Sequence, residues 1–300
     1  MFDQKIEEMI EQVQKPARYT GGEMNTAIKS WPEAEVHFAF CFPDTYEVAM
    51  SHLGMKILYG VINQQPWALC ERVCMPWVDM RALMEKEGVP LFSLETRTPL
   101  NRFDVVGFTL QYEMSYSNIL AMLKLGGIPL HTAERTDADP IVCVGGPCAF
   151  NPEPLADFVD AVMIGDGEEM IVEFIAAVRE WKKSGEPREA CLRRLAKIPG
   201  VYVPSFYEVS YHEDGTIAAF TPKCPEAPAT VRKRLVLDMD KAYYPTEIPV
   251  PYTEIVHDRI MLEIMRGCTR GCRFCEAGIL YRPVRERSLE RLMELARALE

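Results

Sequence analysis

The residues best equipped for chemistry lie near the end of the chain, in Arg266-Gly267-Cys268-Thr269-Arg270-Gly271-Cys272-Arg273-Phe274-Cys275. Three thiols recur there at steps of four and three residues. Thiolates are soft, electron-rich ligands, and iron–sulfur clusters are normally held by them. Three thiolates on a cubane of four irons leave one iron without a protein ligand, and that open corner can bind a small chelating molecule. Gly267 and Gly271 let the loop curl and offer backbone N–H groups to cluster sulfides. Zinc is the other reading of the same residues. Structural zinc takes four ligands, so a fourth would have to come from His257 or a distant cysteine.

Such a loop needs elements to hold it. Apolar residues 259–265 read as a strand leading into it, and Ser288 caps a helix with Leu289, Leu292, Leu295, Ala296 and Leu299 on its inner face. Upstream, short apolar runs alternate with longer amphipathic stretches. Residues 36–42, 68–73, 104–110, 141–144 and 161–164 read as strands. Helices are predicted over 45–63, with Val48, His52, Met55 and Tyr59 on one face, and over 76–86, 114–125 and 168–183. Gly126-Gly127 stops the third helix, and Gly145-Gly146-Pro147 ends the fourth strand. This alternation predicts an α/β fold: a doubly wound, mainly parallel, Rossmann-like sheet of five strands over about 36–184. No Gly-x-Gly-x-x-Gly turn follows the first strand, so a dinucleotide site is not supported. Residues 205–211 and 216–220 alternate around Glu213-Asp214-Gly215, a hairpin signal. Residues 231–237 read as a further strand, and 243–252, with Pro245, Pro249 and Pro251, as a linker. The predicted organisation is an amphipathic helix and lead-in (1–34), the Rossmann-like domain (35–200), a β-rich extension with a Pro-rich linker (201–256) and a final unit (257–300).

Cys268-x-x-x-Cys272-x-x-Cys275, with the aromatic Phe274 just before the third cysteine, resembles the signature of the radical S-adenosylmethionine (radical SAM) superfamily. Gly145-Gly146-Pro147-Cys148-Ala149-Phe150-Asn151-Pro152-Glu153-Pro154-Leu155, followed by Asp157–Ala161 and Gly165-Asp166-Gly167-Glu168-Glu169, is similar to the cobalamin-binding-like domain that precedes many radical SAM barrels. The resemblance implies a [4Fe–4S] cluster on Cys268, Cys272 and Cys275 whose open iron chelates S-adenosylmethionine. It implies reductive cleavage of the sulfonium to a 5′-deoxyadenosyl radical that abstracts hydrogen from a substrate. A reductant such as flavodoxin or ferredoxin is the implied electron source. Cofactor contacts are expected from Phe274, Gly145 and Gly146 as well as the three cysteines. The barrel of that superfamily has about six βα units, of which only the first is expected here. The expectation is therefore an incomplete, inactive barrel that a downstream polypeptide would complete.

Cobalamin is a further implied cofactor, with one departure. Domains that give cobalt a histidine use Asp-x-His-x-x-Gly after the first strand, whereas here Asp44 and His52 stand eight apart in Asp44-Thr45-Tyr46-Glu47-Val48-Ala49-Met50-Ser51-His52-Leu53-Gly54. His52 is expected mid-helix, as a packed or surface residue. Cys41 and Cys143 read as core residues. Cys70 and Cys74 share a strand with no third partner nearby. Arg282, Arg285, Arg287 and Arg291 form a basic run, either a salt-bridged face or a contact for a polyanion such as transfer RNA. Asp166, Glu168 and Glu169 are expected to favour a helix N-terminus.

The formal net charge of −11 argues against broad nucleic-acid binding by the whole surface. Residues 1–15 form an amphipathic helix rather than a signal peptide, and no apolar run is long enough for a membrane span. Ten cysteines without an export signal point to the cytoplasm. Two other functions compete with the radical enzyme: a transfer-RNA methyl- or methylthiotransferase, and a non-catalytic iron–sulfur carrier or regulator. The methylthio version lacks an N-terminal cysteine triplet for an auxiliary cluster.

Overall fold

The computed structural model describes residues 2–300. The helix α1 (Phe2–Ile10) buries Ile6, Met9 and Ile10. The strands β1 (Val36–Phe42), β2 (Ala68–Cys74), β3 (Val105–Thr109), β4 (Ile141–Gly145), β5 (Ala161–Met163) and β6 (Val201–Tyr202) form one sheet in the order β2-β1-β3-β4-β5-β6. All neighbours run parallel except β5 and β6, which are antiparallel. Nearly every strand residue is buried, as expected where helices cover both faces of a parallel sheet. The five parallel strands expected over 36–184 all form, and a sixth joins the sheet beyond them. The sixth is only two residues long, too short to show a period of its own.

The intervening helices are α2 (Tyr46–Ala49), α3 (Leu53–Asn63), α4 (Val78–Glu87), α5 (Tyr116–Leu125), α6 (Gly167–Ser184) and α7 (Arg188–Leu195). α3 and α6 pack together over one face of the sheet. Right-handed crossovers through α4 and α5 put those two helices on the other face. The expected single helix over 45–63 is broken. His52 is not mid-helix; it is the N-cap of α3, and its Nδ1 accepts the Met55 N–H at 3.1 Å. Val48 is partly exposed as a result.

The predicted hairpin forms as β7 (Tyr207–Tyr211) and β8 (Ile217–Pro222). The strand expected over 231–237 does not. Arg234 alone bridges Gly165, in parallel, at the end of β5. Nor does 259–265 form a strand leading a parallel βα unit. Only β9 (Met265–Arg266) is extended, and it pairs antiparallel with β10 (Arg285–Glu286). Between them lie the cysteine loop and the short α8 (Ala277–Leu280), and α9 (Leu289–Leu299) follows with Ser288 as its cap, as expected. A row of apolar residues forms a strand only beside a neighbour that takes up its N–H and C=O groups in sequence. In 259–264 only scattered carbonyls are taken up, such as that of Ile264 by the Arg287 N–H and that of Glu263 by the Arg287 side chain.

Candidate functional site

The strand order reverses at β1 and β3: from β1 the chain moves outward to β2, then returns across to β3. In open α/β sheets ligands sit at such a crevice, beyond the carboxyl ends of the strands. A cavity of about 440 Å³ occupies this place. Its floor is Phe38 and Phe40 of β1, Gly107 to Thr109 of β3 and Cys143 to Gly145 of β4. Leu53, Ile57 and Leu58 of α3 and Ile171 of α6 form its sides. Phe40, Gly107 and Cys143 are neighbours in the sheet register, so the middle of this row has no side chain. A Cβ on Gly107 would fall 2.4 Å from the Phe38 ring, which fills the gap instead.

The two glycines singled out from sequence both line this cavity but differ in kind. Gly146 has φ of +101°, and a Cβ there would lie 2.8 Å from the Leu110 carbonyl oxygen. Backbone geometry alone demands glycine at that position. At Gly145 an added Cβ would meet nothing closer than 3.6 Å. The missing side chain there keeps space open.

His52 also lines the cavity. Its Nδ1 caps α3, and the Gln111 side chain, which donates to Thr109 Oγ1, lines the same cavity. Burial pushes the His52 pKa down, as does Lys56, while the nearby Gln111 side chain opposes the shift. The ring is therefore a neutral histidine packed at the cavity wall, with Nδ1 committed to α3.

Glu263, Met265, Arg266, Gly267 and Tyr281 close the cavity from the other side. These residues flank the cysteine loop. Gly267 has φ of +96°, and a Cβ would sit 2.5 Å from the Pro283 carbonyl oxygen, so the loop leaves β9 through a position only glycine fits well. Arg282 braces the loop from within: Nη2 donates to the Arg270 carbonyl at 3.0 Å and Nε to that of Cys268 at 3.4 Å. The Cys275 N–H donates to the Cys272 carbonyl at 3.1 Å. All three thiols are free; Cys272 is exposed and the other two half-buried. The Arg270 N–H reaches the Cys268 Sγ at 3.4 Å. Among the described residues, no three His, Cys, Asp or Glu side chains converge on a single point in the manner of a one-ion site. Phe274 is 93% exposed beside Cys275. The half-buried Cys148 follows the Gly145-Gly146 turn, and its thiol is pushed up to about 11 by burial and by Glu113 and Glu276, which keeps it protonated at neutral pH.

The basic run divides. Arg285 and Arg287 are buried and paired, Arg285 with Asp166 and Arg287 with Glu263. Arg291 pairs with Glu294 at 3.0 Å on the outside of α9. Glu169 meets Arg234 at 3.0 Å, and Glu168 meets Arg266. The acidic turn after β5 thus serves ion pairs to later segments, beyond any effect on the N-terminus of α6. Sequence reading missed Arg266 and Glu263, which pair with each other and also with partners far along the chain or across the loop, Glu168 and Arg287. The only local hint was an arginine placed directly before Gly267.

Comparison with known proteins gives three results. Residues 54–204, half of the chain, match the family described as "Radical SAM proteins, N-terminal". An uncharacterized protein of Methanocaldococcus jannaschii is 30% identical over 210 residues, which is 70% of this chain but only 38% of that protein. The chain thus spans well under half the length of this curated relative. Two solved structures of the cobalamin-dependent S-adenosylmethionine radical enzyme OxsB, one with aqua-cobalamin and S-adenosylmethionine bound and one with aqua-cobalamin, align with TM-scores of 0.47 and 0.46 at 14% and 13% identity. Each alignment covers 88% of this chain and 31% of the enzyme. No helix of the described residues is long and apolar enough to cross a membrane. The family match spans α3 to β6, every strand of the sheet except β1, and by it this chain belongs to the radical SAM proteins.

Proposed function

We propose that this chain is part of a radical SAM enzyme in which Cys268, Cys272 and Cys275 hold a [4Fe–4S] cluster next to the cavity of the sheet domain. One observation carries this reading. The residues that lead into and out of the cysteine loop, Arg266, Gly267 and Tyr281, wall the same cavity as the carboxyl ends of β1, β3 and β4. The two flanks of the thiol loop therefore border the ligand crevice.

The donor set suits a cluster. Three free thiols on one loop, Cys272 exposed and Cys268 and Cys275 half-buried, can each take a different iron of a cubane. When bound, the cluster supplies the electron for reductive cleavage of S-adenosylmethionine, with flavodoxin or ferredoxin as the class of reductant. The chain's own residues bind and position: the thiols hold the irons, Gly267 sets the exit from β9, Arg282 braces the loop carbonyls, and Phe274 offers an exposed ring to an adenine-sized base. The cavity suits a largely apolar group, and the dimethylbenzimidazole base at the end of cobalamin's nucleotide tail is one such group. One ring nitrogen of His52 is committed to the Met55 N–H, and the Asp44–His52 spacing departs from the motif that gives cobalt a histidine, so a cobalamin here would bind without a nitrogen ligand from His52.

Equilibrium dialysis of full-length protein against hydroxocobalamin tests the cavity. Gly145→Val should fill the space and lower affinity at least about tenfold, the free-energy equivalent of roughly 1.4 kcal/mol. Equal binding by the wild type and Gly145→Val would remove the cavity from the account. A spectral change on His52→Asn, of the kind that accompanies loss of a nitrogen ligand, would overturn the assignment of His52.

A further inference from the structure

Charge, rather than apolar packing, ties the cysteine loop to the sheet domain. Arg266, two residues before Cys268, lies at the centre of the tie. Its Nε donates to Glu263 Oε1 at 2.8 Å, and Nη2 donates to Glu263 Oε2 at 3.1 Å. Nη2 also reaches Glu168 Oε1, and Nη1 stands 3.4 Å from Asp166 Oδ1. One guanidinium therefore joins a carboxylate of its own segment to two carboxylates at the start of α6. Arg285, opposite Arg266 in the β9–β10 pair, donates to the other Asp166 oxygen. These side chains are at most 17% exposed, so water does little to replace a lost partner.

Glu168 has a second attachment. It and Gly167 line the cavity, together with Asp166. The same turn therefore borders the ligand space and grips the residue that launches the cluster loop. Few apolar contacts could do this instead, since Ile260, Ile264, Met265 and Phe274 are all exposed.

We propose that Glu168 is a positioning residue for the cluster: through Arg266 it fixes the loop of Cys268 at the mouth of the cavity. The proposal rests on the reading of the three thiols as cluster ligands. A planar guanidinium with five donors can satisfy three carboxylates at once, which a lysine ammonium cannot match in geometry.

The test uses full-length protein carrying Glu168→Gln, Arg266→Gln and both together. In metal-free protein, hydrogen exchange at residues 264–268 and 285–287 should speed up about tenfold in either single variant, with β1 and β3 unchanged. The double variant should add less than about twofold to either single change, because the two side chains act as one unit. In anaerobically reconstituted protein, Glu168→Gln should shift the midpoint potential of the cluster and alter its electron paramagnetic resonance line shape. Unchanged exchange in both single variants, or additive losses in the double, overturns the proposal whether or not the cluster forms. An unshifted potential and spectrum in a cluster-loaded Glu168→Gln protein also overturns it. Wild-type protein that takes up no cluster overturns the underlying reading itself, and the exchange data then show whether the tie exists without it.

Discussion

In β1 and β3 nearly every side chain is buried, whereas from 256 to 279 Val256, Ile260, Ile264, Met265, Phe274 and Ile279 stand between 43% and 93% exposed. Both stretches are rich in apolar residues. They differ in what lies beside them. The sheet strands have hydrogen-bonded neighbours on both sides and helices on their faces, so burial and pairing reinforce each other. The cysteine segment has a two-residue pairing, a few backbone bonds and a set of ion pairs. Ligand-binding loops are drawn from such low-stability regions. A metal that binds there contributes its own ordering energy. The contrast predicts that stability resides in the sheet, while the metal chemistry resides in a segment whose loss costs folding little.

The strongest challenge to that contrast is a core deletion. Phe174 on α6 is fully buried, and Phe174→Ala should cost about 3–5 kcal/mol in urea unfolding. A loss below about 1 kcal/mol would show that the sheet is not where stability lies. A smaller effect should separate the two glycines of the β4 turn. Gly146→Ala forces a side chain into a positive-φ position against a carbonyl, at about 1–3 kcal/mol, while Gly145→Ala should be close to neutral. Equal costs at the two positions would refute the distinction between a turn glycine and a space-making one.

His52 sharpens the comparison through pH. Burial holds its folded-state pKa below the unfolded value of about 6.5. As pH falls, the unfolded chain takes up the proton first. Stability is therefore intact above about pH 6.5 and declines as pH falls toward the folded-state pKa, with a slope of at most about 1.4 kcal/mol per pH unit. His52→Asn keeps an acceptor for the Met55 N–H and should flatten that slope in urea titrations at about pH 7 and pH 5. An unchanged slope would show that His52 is not a buried neutral ring. The smallest stability effect is expected at Cys272, which is exposed. Cys272→Ala should alter unfolding by less than about 0.5 kcal/mol, yet lose most of the iron bound after reconstitution. A cost of several kcal/mol would mean that the loop is part of the folded core.

Much of the sheet was legible in the sequence because continuous apolar runs such as 36–42, 105–109 and 141–145 are what a two-sided parallel sheet requires. The break at His52 was hidden because Val48, His52, Met55 and Tyr59 keep helical spacing across it. Only the side-chain cap reveals that a new helix begins. The apolar run before the loop misled for the opposite reason: its pattern suits a strand, but pairing depends on a neighbour that local pattern cannot supply. The three cysteines were found by spacing alone. The ion pairs that hold their loop were not, since Glu168 and Arg266 are 98 residues apart and a charge carries no mark of its partner.

The central claim is that Cys268, Cys272 and Cys275 hold a cluster with one open iron. Full-length protein should be reconstituted anaerobically, reduced, and followed by low-temperature electron paramagnetic resonance with and without S-adenosylmethionine, beside a variant with all three cysteines changed to alanine. The account predicts about four irons and four sulfides per chain, a cubane signal that changes when S-adenosylmethionine is added, and loss of both in the variant. Stoichiometric zinc without a cubane signal, or a cluster that survives the triple substitution, would contradict it.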